Sequence, residues 1–156
     1  MPNDEMTDNA VALWAEEVGA IYDTATERGD VFLEAGFLAI APHLAAQIKK
    51  ETGLDVAGYK HIVDTSSVRH ILKHHGTQAE YKRGQVPITR QDFVQLASVL
   101  VAPDLVEYAG KTKQGRNVLC YTKTIGEHIV VYTEEVRTKR GRLAAVTLYK
   151  RKIKER

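Results

Sequence analysis

Cysteine is nearly absent from this chain of 156 residues: Cys120 stands alone, which excludes an intramolecular disulfide framework and any cysteine-based zinc cluster. Long apolar runs are missing too. No stretch approaches the roughly 20 residues that a membrane-spanning helix needs. The first eight residues are acidic and lack the basic-then-apolar order of a signal peptide. These absences make the chain read as cytoplasmic, with no membrane partner. Apolar residues at 44% and charged residues at 27% describe a globular protein rather than a disordered one.

What is present is a charge asymmetry that the net value of +2 conceals. Residues 1–57 hold 11 acidic and 3 basic side chains, whereas residues 58–156 hold 9 acidic and 19 basic. Such a difference in sign divides the chain into an acidic module, 1–57, and a basic domain, 58–156, whose charge suits a polyanion such as nucleic acid. Basic side chains that merely solubilise exposed strands are the plainer alternative.

Within the acidic module Val11, Trp14, Val18, Ile21, Tyr22 and Ala25 recur at helical spacing, and Arg28-Gly29-Asp30 ends that stripe. A second stripe, Leu33, Phe37, Ile40, Ala41, Leu44 and Ile48, contains Pro42, which predicts a kink or a fresh helix beginning at the proline. The two stripes together predict a helical hairpin. In the basic part, 59–63 is a candidate strand. Asp64-Thr65-Ser66-Ser67 offers N-caps for a helix that runs to His75 and stops at Gly76. Residues 77–86 read as a polar loop. Thr89 and Asp92 then form a capping box before Phe93, Leu96, Ala97 and Leu100, with Pro103 closing the helix. From Leu105 the period falls to 2. Runs at 105–112, 117–125, 128–136 and 143–150, separated by short glycine-containing turns, predict a four-stranded antiparallel meander. The expected class is α+β, with N-terminal helices packed on that meander.

Four of the six histidines fall between Tyr59 and Gly76. On a helix Val68, Ile71, Leu72 and His75 share one stripe, while His70 and His74 share another flank, one turn apart. Three readings are open. Histidines in a last turn simply favour the helix macrodipole. His70 and His74 have the spacing of two zinc ligands, with no third ligand at hand. A histidine at a helix end facing a basic sheet suits general acid or base work near neutral pH.

The run Val68-Arg69-His70-Ile71-Leu72-Lys73-His74-His75-Gly76 has the form His-Ile-x-x-x-His-Gly. It is followed by Gly84-Gln85-Val86-Pro87-Ile88-Thr89-Arg90-Gln91-Asp92 and a late Thr147-Leu148-Tyr149-Lys150 strand. In order and spacing these resemble the phage-associated nucleases of the barnase–EndoU–colicin–RelE superfamily, found as toxin-like C-terminal domains of phage and mobile-element polyproteins. The resemblance covers roughly 59–150. It implies a four-stranded antiparallel sheet preceded by helices and cleavage of RNA with no metal or cofactor. It also brings an immunity or antitoxin protein as a candidate partner. Carried over, the motif histidines fall on His70 and His75, with His74 an extra neighbour. The strand hydroxyl falls on Thr147, with Tyr149 on the same sheet face. The strand cation falls on Lys123 or Lys150. Arg140, Arg142 and Lys150 become candidates for flanking phosphates, and Glu135 a substitute base if the histidines do not reach the sheet. A non-catalytic nucleic-acid-binding module and a phage interaction protein are the rival readings.

Overall fold

In a computed structural model, which describes residues 8–154, the expected first helix is α1 (Asp8–Glu27). The acidic stretch read at 1–7 and the last two residues lie outside the described residues. Trp14, Val18, Ile21 and Ala25 are buried along α1, as their spacing predicts. The second stripe divides. Its second half is α2 (Pro42–Thr52), with Pro42 in the first turn and Gly53 closing the end. Its first half is extended and includes the two-residue strand β1 (Leu38–Ala39). Proline disfavours helical conformation in the residue before it, so the helix cannot begin earlier. The 1–57 segment is therefore not a helical hairpin: α1 packs on the later helices of the basic region.

Those helices are α3 (Thr65–His75), α4 (Arg90–Val94) and α5 (Leu96–Val101). Asp64 caps α3, accepting from the Ser67 amide at 2.7 Å, and the Thr89–Asp92 capping box opens α4. The expected loop at 77–86 contains a 3-10 helix, Gln78–Arg83, capped by Thr77.

The meander is present as β3 (Leu105–Lys111), β4 (Asn117–Ile125), β5 (His128–Arg137) and β6 (Arg142–Lys152). The sheet is larger than the four antiparallel strands expected. It has six, in the order β1-β2-β6-β5-β4-β3, where β2 is Lys60–Ile62. β2 runs parallel to β6, pairing Lys60 with Arg142 and Ile62 with Ala144. The sheet is mixed because a strand from far upstream docks on the last one, a pairing that local turn signals do not encode.

Leu119, Tyr121, Tyr132, Leu143 and Leu148 line the face covered by helices and join Trp14, Val18, Leu44, Ile48, Val68 and Phe93 in one buried cluster. That cluster runs across residue 57. Beneath it lies a buried polar group. The His61 Nδ1 stands 2.9 Å from the nearer Glu134 oxygen, and the Tyr121 and Tyr132 hydroxyls donate to the same carboxylate at 2.8 and 3.3 Å. No helix among the described residues is long and apolar enough to cross a membrane.

Between Thr133–Thr147 and Glu134–Ala145 the register slips, leaving Val146 as a bulge in β6. The outer edge of β6 is paired by β2 at 142–144 and again by a single bridge from Val86 to Lys150. In the gap between these pairings, the C-terminal end of α3 approaches β6.

Candidate active site at the edge of the last strand

The last turn of α3 is fixed from three directions. Val68 and Ile71 are fully buried and set the rotation of the helix. The His75 carbonyl accepts from the Ile88 amide at 2.8 Å. Beyond Gly76 the 3-10 turn doubles back under the helix and ends at Gly84, whose φ of 74° favours a residue without a Cβ. That turn carries Glu80, which is completely buried. One carboxylate oxygen of Glu80 lies 3.0 Å from His75 Nδ1, and the other lies 2.7 Å from Arg83 Nη2. An ionised carboxylate only accepts, so Nδ1 holds a proton and Nε2 is the ring nitrogen left for exchange. The Arg83 guanidinium also donates to the His74 carbonyl at 3.1 Å.

Around this group the surface opens into a pocket of about 320 Å3, with His70, His74, His75 and Arg83 on one side and Val146 and Thr147 of β6 on the other. The Tyr149 ring sits 5.5 Å from the His75 ring. The His70 and His74 rings are 4.5 Å apart. Burial, reinforced by the charges of His74, His75 and Lys73, holds the His70 pKa below the ordinary histidine value of 6.5. Among the described residues, no group of three His, Cys, Asp or Glu side chains is disposed to hold a metal ion.

A nucleophile or leaving group placed in this pocket would meet three imidazoles, a guanidinium and the Thr147 hydroxyl without entering the core. Residues 39–156, from within β1 to the end of the chain, match the model of the family phage-Barnase-EndoU-ColicinE5/D-RelE like nuclease3. The chain belongs to this nuclease family. No curated protein and no solved structure matches it. The family match begins after α1 and most of the extended segment that follows it, so both lie outside the matched region.

For this nuclease-family chain, the structure brings His70, His75, Thr147 and Tyr149 into one place, with His74 beside them. It does not bring the proposed strand cations there. Lys123 pairs with Val130, which pairs in turn with Lys150, so both lysines belong to the face opposite Thr147 and Tyr149. The Lys123 ammonium donates to the Ala102 carbonyl at the end of α5. The Lys150 ammonium is almost buried and lies 2.9 Å from the Asp92 carboxylate. Arg140 and Arg142 line a different cleft, near the start of β6. Glu135 is occupied as well, with Arg116 and Arg137 each at 2.7 Å. Burial alone would raise its pKa, but hydrogen bonds from those two arginines outweigh burial and hold it below the usual carboxylate value.

Glu80 and Arg83 are the site residues that sequence reasoning missed. Both sit in a polar stretch where a charged side chain normally meets water. Their only signal is position: a capped turn directly after the histidine motif returns them to it.

Proposed function

We propose that this nuclease-family chain is an endoribonuclease that cleaves RNA without a metal ion. The observation that carries the reading is the convergence of His70 and the Glu80-bound His75 on one open pocket beside Thr147. In this mechanism an imidazole removes the 2′-hydroxyl proton, and the 2′-oxygen bonds to the adjacent phosphorus. The bond from phosphorus to the 5′-oxygen breaks, and a second imidazole protonates that oxygen. The products are a 2′,3′-cyclic phosphate and a 5′-hydroxyl.

His70 suits the base, because its depressed proton affinity keeps it neutral near pH 7. His75 then serves as the acid, with Glu80 holding Nδ1 and leaving Nε2 for the proton transfer. Arg83, paired with the same carboxylate at 2.7 Å, stabilises charge on the phosphate in place of the strand cation expected at Lys123 or Lys150. Thr147 and Tyr149 orient the substrate from the strand.

Incubating the purified chain with total RNA in EDTA tests this directly. The expected outcome is undiminished cleavage with cyclic-phosphate ends. Activity that vanishes on chelation and returns with zinc would point instead to His70 and His74 as metal ligands. Salt-dependent binding with no product would select a non-catalytic nucleic-acid module.

A further inference from the structure

Where β6 begins, a second and larger cleft of about 880 Å3 opens between three segments distant in sequence. Phe32 comes from the extended segment after α1, Arg116 from the β3–β4 turn, and Arg137, Lys139, Arg140 and Arg142 from the β5–β6 connection. Five cations thus face one concave surface. The opposing charge is small. Arg116 and Arg137 share Glu135, and Arg142 stands 3.5 Å from Glu34 while its guanidinium lies 4.5 Å from the Phe37 ring centroid. Lys139 and Arg140 are exposed on their turn and make no ion pair with any described residue. Phe32 is 61% exposed, an aromatic ring left open to solvent among arginines.

Strand alternation connects this cleft to the histidines. Arg142 pairs with Arg137, Ala144 with Glu135, and Thr147 with Thr133, all on the sheet face that carries Tyr149. With Val146 bulged, Arg142 and Thr147 match the four-residue span from Arg137 to Thr133 on β5, roughly 13 Å at about 3.3 Å per residue. Between them on this face lie the buried Ala144 and the Glu135 carboxylate, which Arg116 and Arg137 bridge, so the acidic charge on the way is already paired.

We propose that this cleft is a second binding site, which holds single-stranded RNA on one side of the scissile phosphate. Backbone phosphates bind Lys139, Arg140 and the neighbouring arginine forks, and a base stacks on Phe32. The inference rests on the ribonuclease reading of the histidine pocket. An acidic protein would also satisfy the charge. The open aromatic ring, the planar forks suited to phosphate, and the sheet face shared with the histidine pocket favour a nucleic acid strand. Phe32 and Glu34 precede the region matched by the family, so this wall of the cleft is supplied from outside it.

The test is RNA binding in the full chain carrying His75→Ala, read by fluorescence anisotropy with a labelled single-stranded RNA oligonucleotide over a range of salt. Adding Lys139→Glu and Arg140→Glu is expected to weaken binding at least tenfold. The logarithmic salt dependence should become shallower by roughly 1.4, about 0.7 for each of two lost phosphate contacts. Phe32→Ala is expected to weaken binding roughly fivefold or more while leaving the salt dependence unchanged, because stacking releases no counterions. All the altered side chains are exposed, and matching thermal melts verify folding. Should the charge reversal unfold the chain, Phe32→Ala decides alone. Unchanged affinity in these variants, no binding by the parent, or displacement of RNA by poly-glutamate as readily as by unlabelled RNA would overturn the proposal. Because binding is read in a non-cleaving background, a wild-type chain that binds RNA this way but yields no product would end the catalytic reading and leave the cleft standing.

Discussion

His75 has one nitrogen committed and one free, and Glu80 makes that division. Replacing His75 with alanine is expected to lower turnover by roughly 100-fold or more, the usual loss for a general acid or base. Glu80→Gln keeps an acceptor for Nδ1 but removes the charge that pairs with Arg83, so a smaller loss in kcat, with little change in KM, is expected from steady-state kinetics. A loss equal to that of His75→Ala would instead place Glu80 in the chemistry itself. His70 supplies a pH dependence. Its folded pKa lies below the unfolded value of 6.5, so the folded state resists protonation there. Its contribution to stability is therefore present above pH 6.5 and fades as pH falls through the folded pKa. Following the imidazole Cε1 proton by NMR should show His70 titrating below pH 6.5, and the acidic limb of the rate profile should follow it. Titration at or above 6.5 would remove its claim to be the base. At this scale the histidines, Thr147 and Tyr149 were legible because motif order and strand alternation place them. Lys123 was misplaced because only strand register tells which face a residue of another strand serves, and Lys150 although alternation along β6 already sets it opposite Tyr149. Glu80 was illegible because its burial depends on how a turn folds back.

Among elements, α1, α3 and the meander declare themselves through stripes, caps and glycine turns that act within a few residues. β1 and β2 do not. Each is too short to show a period, and the pairing of β1 with β2, and of β2 with a strand some eighty residues downstream, is a tertiary choice. What ties β2 to the neighbouring strands includes a side chain with no local signature. His61, with no exposed surface, reaches Glu134 of β5, and the hydroxyls of Tyr121 and Tyr132 complete the cluster. Burial first, and then the Glu134 charge, push both phenols well above their ordinary pKa, so they remain neutral donors. Glu134→Leu would strand one imidazole and two hydroxyls in the core. A loss of about 3–5 kcal/mol is expected, the range for breaking a buried charged pair from one side. Urea denaturation followed by circular dichroism measures it. A change under about 1 kcal/mol would mean that an apolar core tolerates the site equally well.

For the whole molecule, the acidic segment and the basic one share a core despite their opposite charge. Trp14, Val18, Ile21, Leu44 and Ile48 all lie upstream of residue 57 and are buried with strands from the other end. Each such side chain is worth about 1.5–3 kcal/mol, against a typical total stability of 5–15 kcal/mol. A chain starting at Gly58 is therefore expected to be unfolded, with a collapsed proton NMR spectrum and no cooperative melt. A dispersed spectrum from that chain would establish the basic region as an independent domain. The sheet order has a further consequence for how the molecule comes into being. The strand at the join, β6, lies between β2 and β5 yet is made after both. While the chain emerges from a ribosome, β2 has no parallel neighbour, β5 shows a bare edge, and the wall that Thr147 gives the pocket does not exist. Pairing across so long a sequence separation is intrinsically slow. Nascent chains should thus stay inactive, and exposed to chaperones and proteases, until β6 is released.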